Sequence, residues 1–303
     1  MTDILIVGGG PAGLTAALYG ARAGRTVTIC EGECMGGQIT QSPQVDNYPA
    51  LPAVSGMALA DALFDQASSA GSETVFAQVT AICRREDGIF EVQTDDGLLE
   101  ARTVIFAGGA KARKLGADRE EDLVGSGVSY CALCDGAFFK GQDVAVVGGG
   151  STAFADALYL AKVCRSVTLI HRRDGFRAEA AVVEAAKATE NLNIMTPWVV
   201  TALEGEEHLN ALWLQNGQTG EKRRLEVSGV FAAIGHMPDC SVIGHLAELD
   251  EEGYVQAGET CETRTPGLFV AGDCRRKNIR QLTTAMADGT AAAVAACEYL
   301  EQK

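Results

Sequence analysis

The sequence predicts an α/β fold with mainly parallel sheets, made of two similar units of which the second interrupts the first. Three observations carry this. Residues 3–31 recur without a gap as residues 143–171. Each copy has an apolar run (Ile4-Leu5-Ile6-Val7; Val144-Ala145-Val146-Val147), a triple glycine, a helix-like segment with Ala-Leu-Tyr at matching places, and a second apolar run (Val27-Thr28-Ile29; Val167-Thr168-Leu169). Each copy is followed by a further buried-strand pattern, Thr103-Val104-Ile105-Phe106 before Ala107-Gly108-Gly109-Ala110, and Val230-Phe231-Ala232-Ala233-Ile234-Gly235. A third such run, Gly267-Leu268-Phe269-Val270, then precedes Ala271-Gly272-Asp273 and an alanine-rich helix. Strand, glycine turn, helix and strand in this order form βαβ units.

The last piece is too short to stand alone, so it is expected to complete the first unit. The expected domains are residues 1–113 with 243–303, and the inserted residues 114–242. Crossings near residues 113–117 and 243–246 contain glycine and polar residues, as a hinge requires few but permissive positions.

A chain of 303 residues can hold two domains of ordinary size. Hydrophobic residues make up 47% but aromatics only 6%, which suits strands packed on alanine-rich helices. Glycine, with 35 residues, exceeds its usual share of about 7%, and the excess falls in turns. A net charge of −15 argues against nucleic acid or an anionic membrane as the main partner. Met1 stands almost directly before the first strand, and no apolar run approaches the ~20 residues of a bilayer span. The expectation is a cytoplasmic protein. No heptad or low-complexity segment occurs.

The first glycine turn is Gly8, Gly10 and Gly13, with Pro11 and Ala12 opening the helix. It follows a strand, starts a helix, and is followed by an acid, Glu31, at the end of the next strand. This is the full context of a dinucleotide fingerprint: the glycines let helix N-terminal amides approach a pyrophosphate, and Glu31 would accept hydrogen bonds from ribose hydroxyls. The polar, glycine-rich Gly36-Gly37-Gln38 and Asn47 suit a flavin ring, so the nucleotide is read as FAD. Gly272-Asp273 before a helix adds an aspartate for the ribityl or pyrophosphate region.

The second turn is Gly148 and Gly150, then Ser151 and Thr152, with Ala153 in the third slot that the pattern allows. Where the first copy has Glu31, the second has His171, followed by Arg172, Arg173 and Arg177. An acid would repel a 2′-phosphate, whereas arginines bind one through charge-assisted hydrogen bonds. The second nucleotide is read as NADPH, with Ile234 and Gly235 at the end of the closing strand in its site.

Ten cysteines are too few for a disulfide scaffold. Cys30, Cys83, Cys164, Cys240, Cys261, Cys274 and Cys297 are scattered and read as small hydrophobes or free thiols; without a second Cys-x-x-Cys, no metal site is expected. Cys131-Ala132-Leu133-Cys134-Asp135 differs. In an acidic α/β chain this spacing reads as a redox pair whose thiolate attacks another disulfide, with Asp135 placed to move protons.

With these residues in hand, the chain resembles the low-molecular-weight thioredoxin reductases over its whole length. Val128-Ser129-Tyr130-Cys131-Ala132-Leu133-Cys134-Asp135-Gly136-Ala137-Phe138-Phe139 resembles their active-site segment. His171-Arg172-Arg173-Asp174-Gly175-Phe176-Arg177 resembles their NADPH-specificity loop. Ala271-Gly272-Asp273 and Arg280-Gln281-Leu282-Thr283-Thr284-Ala285 match their second FAD segment.

The resemblance implies two Rossmann-like domains, with Cys134 facing the flavin, Cys131 attacking thioredoxin or a thioredoxin-like protein, and Asp135 as acid–base residue. It also implies FAD held by Gly8, Gly10, Gly13, Glu31, Gln38, Asn47, Val79, Ala107, Gly109, Asp273, Arg280, Gln281 and Leu282. A homodimer is implied too, with an NADPH domain that rotates about the two crossings.

Four positions depart from the pattern: Leu133 for a usual threonine, Ala155 and Asp156 for two glutamates, Gly108 for a threonine, and Ala50 for a glycine. The flavoprotein of alkyl hydroperoxide reductase systems shares the core but normally carries extra N-terminal thioredoxin-like domains. A ferredoxin–NADP reductase of this fold would lack the dithiol. A flavin-bound redox sensor is the alternative outside enzymes, and multiple turnover separates the two.

Overall fold

The computed structural model describes residues 1–302. The chain divides into two compact units, Met1–Lys111 with the chain from Met237 onward, and Ala112–His236. It begins with β1 (Thr2–Val7), α1 (Pro11–Arg22), β2 (Val27–Glu31), α2 (Gly56–Ser69), β3 (Glu73–Phe76), β4 (Val79–Arg84), β5 (Phe90–Thr94) and β6 (Gly97–Phe106). A two-residue strand, β7 (Lys111–Ala112), follows.

The second unit contains β8 (Val128–Ser129), α3 (Ala132–Asp135), β9 (Asp143–Val147), α4 (Ser151–Leu160), β10 (Ser166–Ile170), α5 (Ala180–Lys187) and β11 (Leu192–Met195). It continues with β12 (Trp198–Gly205), β13 (Leu209–Asn216), β14 (Lys222–Glu226) and β15 (Gly229–Ala232). After β16 (His236–Met237) come β17 (Leu268–Val270) and α6 (Leu282–Glu301).

The repeated sequence is a repeated structure. In the first unit Ile4 pairs with Val27 across parallel strands, and in the second Val144 pairs with Val167. Strand order in the first sheet is β3-β2-β1-β6-β5-β4. Its middle is parallel, while β5 and β4 extend it antiparallel. The second sheet, β11-β10-β9-β15-β8, is parallel throughout.

Strands covered on both faces need apolar residues at every position, which is why the motifs read as unbroken runs. Ile4 and Ile6 face α1 and α6, whereas Leu5 and Val7 pack with Val104, Phe106 and Val270 on the other side. In the second unit Val144 and Val146 face α4 and α5, and Ala145 meets Trp198, Val200 and Leu212 of the antiparallel layer β12–β13–β14.

The C-terminal strand finds its place because β6 changes partners along its length. Gly97 to Ala101 pair with β5, and Val104 to Phe106 pair with β17. Helix α6 then packs on α1 through small residues, with Ala292, Ala293 and Ala296 buried.

Three boundaries differ from expectation, the first being that the opening segment ends at Lys111 rather than 113. The second crossing lies before Met237 rather than near Ile243, because Cys240 and Ile243 are buried in the first unit's core with Val242 against it. Strand β15 ends at Ala232 rather than Gly235, whose φ of 102° leaves the extended region. No helix among the described residues is long and apolar enough to cross a membrane.

A Cβ at Gly289 would lie 2.2 Å from the Ala12 carbonyl oxygen. Gly289→Ala is therefore expected to lower stability in urea unfolding by about 1–3 kcal/mol, the scale of overpacking. Exposed helix sites show the opposite sign by ~0.5–1 kcal/mol. An unchanged or more stable variant would contradict the α1–α6 contact.

Candidate functional site

Helix α1 starts at Pro11 with no side-chain cap at Gly10, so its first amides are left for a ligand or water. Segments far apart in sequence close around this end. A Cβ on Gly8 (φ 106°) would sit 2.4 Å from the Ala107 carbonyl oxygen, and one on Gly13 would sit 1.9 Å from the Gly8 oxygen. Both must be glycine for strand, loop and helix to approach. At Gly10 a Cβ would meet nothing within 4 Å, so open space lies at that turn.

The Gly36 amide donates to the Gly9 carbonyl at 2.8 Å, which brings the Gly36–Gly37 loop to Gly10. Gln38 donates to the Ala110 carbonyl at 2.7 Å beside Gly109. Asn47 donates to the Gln281 side chain at 3.2 Å, across 234 residues of sequence. Gln281 itself caps α6, whose first residue is Leu282.

Glu31 ends β2, with its carboxylate already accepting from the amides of Gly9 (2.6 Å), Glu33 (2.7 Å) and Cys34 (3.2 Å). It thus shapes the loop as well as leaving lone pairs for a ribose. Val79 is buried at the start of β4, in the core with Ala77 and Phe90.

Asp273 follows Gly272, which has φ 81° and whose Cβ would meet that of Ala12 at 2.9 Å. Burial pushes the Asp273 carboxyl up, against the pull of Lys277 and Arg280, and its Oδ1 is buried without a hydrogen-bond partner. An open helix start, glycines that a Cβ would jam and an unsatisfied buried oxygen fit the phosphates and hydroxyls of FAD. Arg280 stacks over the Tyr254 ring at 4.1 Å.

Sequence reading missed what holds this loop. Asp288, buried within α6, accepts from the Gly272 amide (3.0 Å), from both Nε (3.1 Å) and Nη2 (2.8 Å) of Arg275, and from Lys277 at 2.7 Å. Burial works to raise its carboxyl, but Arg275 and Lys277 outweigh this and hold it below the usual range. An acid in an otherwise alanine-rich stretch, downstream of Arg275 and Lys277, was the available signal.

The second unit copies the first cradle. A Cβ on Gly148 would lie 2.4 Å from the Ala233 carbonyl oxygen, and Gly150, before α4, has open space at its Cβ position. Ala153 is tolerated because its methyl, 2.7 Å from where a Gly148 Cβ would be, meets no side chain there. Gly149 must stay bare because a Cβ would touch the His171 ring at 2.3 Å.

The arginine loop returns to this turn through a bond from the Arg177 amide to the Gly149 carbonyl at 2.8 Å. Ser151, Thr152, Arg172, Arg173 and Arg177 are exposed, and the three arginines make no salt bridge among the described residues. Burial, then the nearby Arg172, Arg173 and Arg177, push His171 below its ordinary value, against its bond to the Gly175 carbonyl. Gly235 accepts from the Arg113 amide at 2.9 Å, and Ile234 lies beside it on the loop after β15.

Cys131 and Cys134 form a disulfide across the single turn of α3, with Cα atoms 5.3 Å apart, inside the range a disulfide spans. The Asp135 amide donates to the Cys131 carbonyl at 3.1 Å, and Ser129 Oγ donates to Asp135 Oδ2 at 2.6 Å. Burial pushes Asp135 up, and the Ser129 bond partly opposes this. Tyr130, just before Cys131, donates its hydroxyl to Glu120 at 2.9 Å. Buried Glu120 also accepts from the Leu115 and Gly116 amides, both at 2.8 Å. Within an acidic run it resembles any solvated charge, so sequence could not single it out.

The departures resolve physically. Leu133 is 59% exposed and presents an apolar side chain beside the disulfide. A Cβ at Gly108 would meet the Phe106 ring at 2.7 Å. Ala50 occupies left-handed backbone (φ 71°), a strain of roughly 1–2 kcal/mol that glycine avoids. Ala155 is exposed, and burial pushes Asp156 up to about 6. Cys83 is an exposed free thiol and the other scattered cysteines named above are buried, while exposed Cys34, beside Glu31, escaped the sequence reading.

Residues 2–289 match the family described as pyridine nucleotide-disulphide oxidoreductase. The chain is 42% identical over 303 residues to thioredoxin reductase of Mycolicibacterium smegmatis, covering 99% of this chain and 97% of that one. It is 37% identical over 303 residues to thioredoxin reductase of Bacillus subtilis (strain 168), covering 99% and 95%. The crystal structure of thioredoxin reductase from Streptococcus pyogenes MGAS5005 superposes with a TM-score of 0.95 at 38% identity, covering 100% and 99%.

Asp288→Asn keeps the shape but takes from the largely buried Arg275 and Lys277 the charge that both contact, leaving only Asp273, 3.9 Å from Lys277. Urea unfolding at neutral pH is expected to show a loss of about 3–5 kcal/mol. A depressed folded-state pKa gives stability that is present above the unfolded aspartate value near ~3.9 and lost as pH falls through the folded value. The gap between wild type and variant should therefore persist from pH 8 to 5 and narrow only in stronger acid. A gap that is absent, or unchanged in acid, would contradict the ion cluster.

Proposed function

We propose, for a chain that belongs to the pyridine nucleotide-disulphide oxidoreductases and among them to the thioredoxin reductases, that it is an NADPH-dependent, FAD-carrying thioredoxin-disulfide reductase. NADPH is oxidised, the disulfide of thioredoxin or a thioredoxin-like protein is reduced, and Cys131–Cys134 cycles between disulfide and dithiol. The observation that carries this is the coexistence in one chain of two phosphate-ready glycine turns and a disulfide with a half-buried carboxyl at its side. A homodimer in the cytoplasm belongs to the same proposal.

FAD would be held by the α1 turn (Gly8, Gly10, Pro11, Ala12, Gly13), Glu31, Gly36, Gly37, Gln38, Asn47, Ala107 and Gly109, with Gly272, Asp273, Arg280, Gln281 and Leu282 closing the site. When bound, the flavin supplies two-electron transfer between a pyridine nucleotide and a disulfide. NADPH would lie along Gly148, Gly150, Ser151, Thr152 and Ala153, with Ile234 and Gly235 near it. His171, Arg172, Arg173 and Arg177 would hold its 2′-phosphate. The unpaired arginines lose no protein partner when they bind it.

Opening the Cys131–Cys134 bond takes two electrons and two protons. The dithiol then returns both to the partner: a Cys131 thiolate attacks one partner sulfur, Cys134 resolves the mixed disulfide, and the partner leaves as a dithiol. The flanking Asp135 holds or gives the proton that each thiolate needs or loses. Couples of this type differ by tens of millivolts, and for two electrons about 30 mV corresponds to ~1.4 kcal/mol, so small gaps drive the exchange.

Cys134→Ser should abolish NADPH-dependent reduction of oxidised thioredoxin while leaving FAD bound. Wild-type turnover in that variant would remove the dithiol from the reaction. Arg172→Ala with Arg173→Ala should raise KM for NADPH at least about tenfold, the loss of one charge-assisted hydrogen bond or more, and leave KM for NADH nearly unchanged. Equal effects on both nucleotides would overturn the 2′-phosphate assignment.

A further inference from the structure

We propose that Ser129 is a positioning residue for proton transfer at the dithiol, acting as the hydroxyl that accommodates both protonation states of Asp135. The inference deepens the reading of Asp135 as the acid–base residue and rests on it. Ser129 ends β8, is only 5% exposed, and precedes Cys131 by two residues. Its Oγ lies 2.6 Å from Asp135 Oδ2, 3.1 Å from the Cys131 amide nitrogen and 3.3 Å from the Cys131 carbonyl oxygen.

A hydroxyl has one proton to give and two lone pairs to receive. With Asp135 ionised, the Ser129 proton points to Oδ2 and one lone pair accepts from the Cys131 amide. With Asp135 protonated, Oδ2–H donates to the second lone pair and the Ser129 proton turns to the Cys131 carbonyl. Ser129 Oγ, Asp135 Oδ2 and the Cys131 amide and carbonyl, the last also bonded to the Asp135 amide, stay paired in both states, and apart from the proton itself only a hydroxyl rotates. A buried polar group left unpaired in one state would penalise that state and trap the proton in the other.

The same three contacts tie the carboxyl to the backbone of the cysteine whose sulfur needs the proton. No net bond to carbon or sulfur is made or broken; one proton moves between Asp135 and the thiol, and Ser129 returns to its starting form.

The surroundings leave this role to Ser129. The elements packed most closely on α3 are the following 3-10 turn (Gly136–Phe139) and α4, and the groups on them that titrate are Asp156 and Tyr159. Neither acts on Asp135, whose carboxyl feels burial and Ser129 and no cation among the described residues. Glu120 reaches Tyr130 and the 115–116 amides instead. A charge-assisted bond is stronger than its neutral counterpart, so the Ser129 donor favours the carboxylate on balance.

The test follows the carboxyl directly. Protein carrying ¹³C-labelled aspartate is titrated by NMR with its disulfide intact, the Asp135 signal being the one lost in Asp135→Asn. In Ser129→Ala the signal should titrate at higher pH by roughly one unit, the scale of one hydrogen bond to a charged group. Ser129→Thr, which keeps the hydroxyl, should titrate with the wild type. Identical curves in wild type and Ser129→Ala overturn the proposal.

Kinetics supply the second arm. The inflection in the pH profile of thioredoxin reduction should move upward with the signal in Ser129→Ala. In an Asp135→Asn background Ser129→Ala should change nothing further. A kinetic inflection that stays put while the signal moves also overturns it. Should wild type reduce no thioredoxin, the proposed function fails by that result, and the carboxyl titration still decides Ser129. If Ser129→Ala folds poorly, the comparison of Ser129→Thr with Ser129→Cys, a weak donor, reads the same shift.

Discussion

The architecture depends on one close approach made twice. A strand end and a glycine turn meet with no room for a side chain: Gly8 against the Ala107 carbonyl and Gly148 against the Ala233 carbonyl, each 2.4 Å from a would-be Cβ. That approach seats the helix directly on the strand, so the uncapped amides of α1 and α4 open at the ends of β1 and β9. A pyrophosphate needs such an opening, and backbone alone provides it. The chemical difference between the two cradles is then written in the residues at the end of the next strand, Glu31 in one and His171 with its arginines in the other.

Buried carboxylates organise what the glycines leave loose. Asp288 gathers Gly272, Arg275 and Lys277, so that the segment carrying Asp273 is fixed to α6 rather than to its own short turn. Glu120 does the same in the second unit for the 115–116 amides and Tyr130. Each carboxylate is surrounded by donors, which is the condition under which a buried charge is tolerated. The dithiol follows Tyr130 directly in sequence, on a one-turn helix whose own length could not hold it in place.

Much of this was legible in the chain. The repeat, the glycine spacing and the acid-for-histidine exchange are local signals, since a turn that must admit a phosphate restricts its own residues. The interrupted order of the first unit was also readable, because β17 and α6 are too short to bury an apolar face alone. What could not be read depends on contacts between distant residues. Glu120 and Asp288 have the same side-chain chemistry as exposed acids, and only tertiary packing makes them anchors. The second crossing was misplaced for a similar reason: Cys240 and Ile243 look like ordinary loop apolars until the first unit's core receives them. Glu31 was recognised for its place, but its bonds to the Gly9, Glu33 and Cys34 amides follow from a loop conformation that sequence does not spell out.

The central claim is that electrons from a pyridine nucleotide reach the sulfur pair at Cys131 and Cys134 and leave it for another protein's disulfide. Alkylation with a mass tag after anaerobic addition of NADPH to the flavin-loaded protein measures this most directly. The account predicts two newly reactive thiols per chain, mapped to Cys131 and Cys134, which disappear when oxidised thioredoxin in molar excess over NADPH is added before the tag. Tagging that does not change with NADPH, or new thiols that persist in the presence of oxidised thioredoxin, would contradict it.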